Sequence, residues 1–455
     1  MRTRNRFVSS TIAFVALLCA AEALANPAID DSALRTRQTK LDNGLTLLTL
    51  EDHTTPVVAF QMWVRVGSSD EARVTGLAHL FEHMMFRGSK NIPPEKHGQI
   101  IQSRGGRTNA YTTSDMTVYT TEIPSEALPL VIALEAERLA NLDISEETLV
   151  SEREVVLEER RMRIEDQPGG RAREALYALT FKALPYRWPV IGWRSDVANT
   201  TVEDCLDFFS TFYVPNNIVI AIVGDFDADA ALEQVRESFG DLVPAPGIPR
   251  HVTEEPRQSG VRRAQVHFDL HAPVLATAWH APPAGHPDAE ALDVASEILS
   301  GGRSSRVYRR LVHEEQIALS AYSVYSEFAG AGIFGTYASV RPDANIDRVE
   351  ASLLEEITRL RDEPVTAEEL EKAKRQIEVS MIHQLTTNSA IAGRIGYDVT
   401  ILGAIRPLED RLAAIQAVDA DDVRRVARTY LVDAGRNIVH VVSPPASTEP
   451  GPGES

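Results

Sequence analysis

Gly76–Lys90 reads GLAHLFEHMMFRGSK, and within it His79-Leu80-Phe81-Glu82-His83 forms an H-x-x-E-H pattern. On a helix His79 and His83 are i and i+4, so both imidazoles leave one face about one turn apart. That spacing suits two nitrogen ligands on one zinc ion. Glu82 stands i+3 from His79, on the same side, within reach of a metal-bound water. Gly88 supplies the stop after the helix.

A catalytic zinc needs a third protein ligand and an open position. Downstream, a long charged helix predicted from Ile144 to about Asp166 offers Glu152, Glu154, Glu158 and Glu159. Ser145 is its N-cap and Glu146 and Glu147 fill its first turn. Glu152 and Glu159 are i and i+7 and share a face. One would coordinate and the other would orient a ligand; spacing does not choose between them. Glu154 and Glu158 read as surface charges.

Outward from this pair, the chain alternates strand and helix signals. Strands are expected at Leu45–Leu50, Val57–Val66, Arg107–Thr113, Met116–Glu122 and Asn217–Val223. Pro244, Pro246, Pro249 and Pro256 mark a linker. The second half repeats the plan. Val365-Thr366-Ala367-Glu368-Glu369-Leu370 echoes Ile144-Ser145-Glu146-Glu147-x-Leu149, which sets Ala373 opposite Glu152 and Ser380 opposite Glu159. The second half has no H-x-x-E-H. The expected organisation is a signal peptide at 1–25, a zinc-bearing domain at 35–243, a linker at 244–261, a duplicate domain without zinc at 262–443 and a disordered tail at 444–455.

H-x-x-E-H followed by E-x-x-V-V-x-E-E resembles the pitrilysin/insulinase family of zinc metallopeptidases, the inverzincins. The short two-domain branch that includes the mitochondrial processing peptidase beta subunit and bacterial relatives fits best. Gly105-Gly106-x-x-Asn109-Ala110-Tyr111-Thr112, Tyr213-x-Pro215-Asn216-Asn217 and Gly302-x-Ser304-Ser305-Arg306 extend the likeness over nearly the whole mature chain. The resemblance implies an α+β fold of two homologous domains, each a mainly antiparallel sheet packed with helices, enclosing a clam-like cavity. It implies one zinc ion per chain on His79, His83 and Glu159, with Glu82 as general base on a zinc-bound water and Glu152 hydrogen-bonded near a histidine ligand. A peptide substrate would add as a strand along Asn109, Ala110, Tyr111 and Thr112, which favours extended or unfolded peptides. The alternative for that segment is an ordinary core strand.

The implied activity is a zinc metalloendopeptidase, as a homodimer or as the catalytic subunit of a heterodimer with a member lacking the zinc motif. The alternative is a non-proteolytic assembly or scaffold subunit of the same fold. One departure bears on the substrate. Where many members carry an Arg and a Tyr that contact it, this chain has Glu315 and Leu319.

Composition sets the remaining bounds. Arg2, Arg4 and Arg6, the apolar run to Ala21 and Ala23-Leu24-Ala25 form an export signal, so the mature chain is expected in the periplasm or secreted. Its removal moves the net charge from −19 to −21. So acidic a surface argues against nucleic acid or anionic membrane as partner. No second run is long enough to span a bilayer. Cys205 alone remains, so no internal disulfide forms and packed cores must supply stability.

Overall fold

Val57–Val64, VVAFQMWV, is buried along nearly its whole length and runs through the middle of the first sheet. Its β-branched and aromatic residues suit a strand covered on both faces. The computed structural model describes residues 36–250 and 252–445. The export signal and tail residues 446–455 lie outside them.

The first sheet comprises β1 (Arg37–Lys40), β2 (Thr46–Glu51), β3 (Val57–Val64), β4 (Arg107–Thr112), β5 (Thr117–Pro124) and β6 (Ile218–Gly224), in the order β1-β2-β6-β3-β5-β4. The second comprises β7 (Arg262–His267), β8 (Val274–Ala281), β9 (Ala318–Glu327), β10 (Gly332–Val340) and β11 (Asn437–Val442), in the order β7-β11-β8-β10-β9. The two orders superpose when β7 stands for β2 and β11 for β6. In both, the last strand of the half inserts between a parallel and an antiparallel neighbour. The other pairings are antiparallel. The fold is thus the expected α+β duplication, with β4 and β9 as equivalent free edges.

Each half has its own apolar core. Phe60, Met62, Leu80, Phe81 and Ile220 are fully buried in the first, and Leu292, Leu299, Phe334 and Leu353 in the second. Two helices exchange sides. The helix Pro168–Thr180, contributed by the first half, packs on β7, β8 and β11 of the second sheet. There Ala172 and Leu176 meet Ala276, Ala278, Val439 and Val441. Reciprocally, Asn388–Tyr397 of the second half covers β3 and β6. Gln61 Nε2 donates to Ser389 O (2.8 Å). The helix approaches so closely that a Cβ at Gly396 would lie 2.3 Å from the Trp63 ring.

Several elements differ from expectation. β1, RQTK, was not foreseen, because it is polar and largely exposed and pairs only through its backbone. The helices Arg194–Asn199 and Leu408–Ala417 were also not foreseen, although Pro407 marks the start of the second. The long charged helix is α-helical only over Glu146–Arg160 and continues as a π-helical turn, Arg161–Glu165.

Candidate metal centre and peptide cavity

The motif helix spans Leu77–Met84. Its apolar side, Leu77, Leu80, Phe81 and Met84, is buried and leaves the two histidines and Glu82 on the other side. No side chain of the N-cap residue closes its start. Instead the buried carboxylate of Glu71 accepts from Gly76 N (2.9 Å) and Ala78 N (2.8 Å). A carboxylate there also complements the helix dipole. Gly76 has φ 84°, and a Cβ would sit 2.5 Å from Ile191 O, so only glycine fits. Neither Glu71 nor this contact was singled out from the sequence; an acidic residue six positions before the helix was the available signal.

Glu146–Arg160 packs against the motif helix. Its start is held by Ser145, whose hydroxyl accepts from Thr148 N, with Glu146 and Glu147 in the first turn. Glu152 and Glu159 both face the histidines. His83 Nδ1 donates to Glu152 Oε1 (2.7 Å). Its Nε2 lies 3.3 Å from Glu159 Oε2, and His79 Nε2 lies 3.8 Å from Glu159 Oε1. The donor atoms of His79, His83 and Glu159 all fall within 4.8 Å of one another.

These residues fit a metal. Tetrahedral ligands about 2.0–2.1 Å from zinc stand about 3.3 Å apart, close to the separations observed. His79 Nδ1 is buried without a hydrogen-bond partner. Burial, reinforced by the charge of His83, lowers His79 to about 4, so it presents a neutral imidazole. Burial also disfavours charge on His83, but its bonds to Glu152 and Glu159 outweigh that and raise it to about 9. Without a metal, a proton on His83 satisfies the two carboxylates. A cation between the donors would do the same.

Arg87 Nε also donates to Glu152, so this carboxylate is committed to His83 on one oxygen and Arg87 on the other. Glu152 is buried, whereas Glu159 is partly exposed and pairs with the exposed Arg163 (2.6 Å). The geometry therefore separates two carboxylates that spacing left equivalent. Glu154 and Glu158 are exposed on the same helix, as expected.

A cavity of about 1450 Å³ opens over this cluster, lined by His79, Glu82, His83, Asn109, Thr112 and Glu159 among others. Asn109 to Thr112 lie on β4, and their exposure alternates along the strand. β4 pairs only with β5 (Arg107↔Glu122 to Thr112↔Thr117). It is a sheet edge rather than a core strand. Thr112 Oγ1 donates to Glu82 Oε2 (2.5 Å). Burial raises the Glu82 carboxyl, and the Thr112 bond opposes that rise.

The duplicate half has a cavity of about 1200 Å³ beside the helices Ala289–Ser300 and Ala367–His383. Ser380, opposite Glu159 in the repeat, lines it. No histidine does. Glu315 is committed to Arg310 (2.7 Å), Arg348 (2.9 Å) and Ser352 (2.9 Å), and Leu319 is exposed on β9. Cys205 is a buried free thiol, raised to about 12 by burial. Among the described residues no helix is long and apolar enough to cross a membrane.

Comparison with known proteins agrees with this architecture. A family model described as "Insulinase (Peptidase family M16)" matches residues 46–192, and one described as "Peptidase M16 inactive domain" matches residues 199–377. The chain is 30% identical over 412 residues to an uncharacterized zinc protease of Streptomyces coelicolor, covering 87% of each. It is 29% identical to a probable mitochondrial-processing peptidase subunit beta of Arabidopsis thaliana, covering 88% of this chain and 77% of that one. The crystal structure of a protease from Helicobacter pylori superposes with a TM-score of 0.87 at 28% identity, over 90% of this chain and 99% of the other. With the duplicated sheets, the motif helix and these matches in agreement, the chain belongs to the insulinase family of peptidases, M16.

Proposed function

We propose that this chain is a zinc-dependent endopeptidase that cleaves extended or unfolded peptides. The observation that carries the reading is the meeting of His79, His83 and Glu159 beside Glu82, with Glu82 bonded to the strand edge that would hold a peptide. His79, His83 and Glu159 would hold one zinc ion. When bound, zinc supplies Lewis-acid polarisation of a water and of the peptide carbonyl.

The protein's own groups do the rest. Glu82 takes the proton of the attacking water and delivers it to the leaving amine. Thr112 fixes the Glu82 oxygen it touches. Glu152 holds His83 so that Nε2 faces the ligand position. The free edge of β4 orients the peptide through main-chain hydrogen bonds, which requires an extended chain. Export to the periplasm, or secretion, is part of the same reading and rests on Arg2 to Ala25.

We also place the chain in a dimer, with a second copy or a homologue lacking the motif. The commitment of Glu315 and the apolar Leu319 support a need for substrate-holding donors elsewhere, in this chain or another.

Metal analysis of the purified mature chain, with cleavage of an unstructured quenched-fluorescence peptide, tests the reading. One zinc per chain is expected, with activity lost on chelation and restored by zinc. Glu82→Gln should keep the zinc and lose about 10²–10⁴ in rate. Zinc-loaded Glu82→Gln cleaving like wild type would overturn the base assignment, and a chain that holds no zinc would overturn the whole reading. Light scattering with activity of the chain alone tests the dimer.

A further inference from the structure

His83 is held by a side chain, because Glu152 accepts from its Nδ1 (2.7 Å). His79 has no such holder: its Nδ1 is buried and has no hydrogen-bond partner among the described residues. A metal-binding imidazole normally gives its second N–H to a carboxylate or carbonyl, which fixes the ring. Without that bond, the placement of His79 depends on its backbone. His79 is the third residue of the motif helix, so the start of that helix decides where it stands.

The start is clamped from two sides. On one, Glu71 accepts from Gly76 N and Ala78 N. On the other, Gly76 rests on the backbone of Ile191 and Gly192. Both glycines are buried, and Gly192 has φ 78°. A Cβ on Gly192 would strike Gly76 N and Cα, so the two backbones meet with no side chain between them. Thr75 pins the same contact. Its Oγ1 accepts from Trp193 N (2.9 Å) and donates to Asp196 Oδ2 (2.7 Å).

Gly192 is in turn tied to the helix Glu146–Arg160. Arg160 Nη1 donates to Gly192 O (2.7 Å). Arg160 is 4% exposed and follows Glu159 in the chain. Its Nη2 donates to Glu174 Oε2 (2.7 Å), and its guanidinium lies 5.7 Å from the centroid of the Trp193 ring. A path thus runs from Arg160 through Gly192 and Gly76 to His79 by buried groups only. A metal site tolerates only about 0.2 Å of error in each ligand distance. We infer that Arg160 is a positioning residue for the metal: through Gly192 it sets the separation of His79 from Glu159. It does for the backbone of one histidine what Glu152 does for the ring of the other. Arg160 acts through the backbone and on no reacting atom. The inference rests on the zinc reading for its consequence.

The test uses the full mature chain in two forms, metal-free and loaded with cobalt(II), whose visible absorption reports ligand geometry. Arg160→Met removes both the bond to Gly192 and the pair with Glu174. Glu174→Gln removes the charge of that pair alone and controls for stability. Arg160→Met should change the cobalt spectrum and weaken zinc binding about tenfold or more, measured by competition with a chelating dye. Glu174→Gln should lower Tm yet keep the wild-type spectrum and affinity. Arg160→Lys should show the same changes as Arg160→Met, only smaller, and carries the test should Arg160→Met not fold. In the metal-free chain, hydrogen exchange at residues 76–80 should rise in the Arg160 variants and not in Glu174→Gln. Wild-type spectrum and affinity in the Arg160 variants, or an equal change in Glu174→Gln, would overturn the positioning role. A wild-type chain that binds no metal, with exchange at 76–80 still raised by Arg160→Met, defeats the zinc reading and upholds the link. One that binds zinc, with exchange and affinity untouched by the variants, defeats the link alone.

Discussion

Thr112 Oγ1 lies 2.5 Å from Glu82 Oε2, so the last residue of the edge strand holds the carboxylate beside the two histidines. The strand that would carry a peptide and the group that would move its proton are thus one hydrogen-bonded unit. Thr112→Val keeps the shape and removes the donor. It should lower kcat about tenfold, with zinc content unchanged and a smaller change in KM. Thr112→Ser should recover most of the loss. Equal rates for the Val variant and wild type would deny the positioning role.

Glu152 bonds His83 Nδ1 at 2.7 Å and also accepts from Arg87. Glu152→Gln keeps the volume but breaks this paired arrangement. Zinc affinity, measured by competition with a chelating dye, should fall about 10–100-fold. The fold should persist, because Leu149 and Val156 of the same helix remain in the apolar core. Unchanged affinity would separate Glu152 from the metal.

Asp293 gives a pH dependence remote from the metal cluster. It is half-buried on Ala289–Ser300. Burial, then the charges of Glu327, Glu290 and Glu297, push its carboxyl up to about 8. In the unfolded chain an aspartate titrates near 3.9. The folded value is the higher one, so the folded state holds the proton more tightly. The stability tied to that proton is full below about pH 4, falls as pH rises and levels off above about pH 8. Asp293→Asn should therefore raise Tm at pH 8–9 and leave it nearly unchanged at pH 4. The gain should be on the order of 1–3 kcal/mol at the alkaline end. An equal shift at both pH values would exclude protonation as the cause.

Local patterns made most elements of both sheets legible in the sequence. β3 and β6 are dense in β-branched residues, and the repeat ties the two halves together. The metal cluster was legible because i/i+4 and i/i+7 spacings survive without knowledge of the fold. What escaped depends on contacts distant in sequence. Glu71 reveals its role only when its oxygens meet Gly76 N and Ala78 N. The difference between Glu152 and Glu159 emerges when His83 and Arg87 take the two oxygens of the first and Arg163 pairs with the second. The crossing of two helices to the opposite sheets leaves no periodic trace.

That crossing has its own test. Gly396 lies against Trp63, which is 1% exposed, and a Cβ would come within 2.3 Å of its ring. Gly396→Ala should cost about 1–3 kcal/mol through overpacking. Calorimetry should show one transition displaced to lower temperature, since neither sheet keeps its cover when the other half unfolds. Two separate transitions would contradict the mutual dependence.

The exchanged helices also change what the peptide bonds between residues 244 and 261 are for. Pro168–Thr180 would stay on the second sheet and Asn388–Tyr397 on the first even if the chain were cut there. The connection matters while the halves find each other, as a tether that raises their local concentration. Afterwards the molecule is in effect a dimer of its own two halves. A nicked chain should run as one particle on a sizing column and as two bands under denaturing conditions.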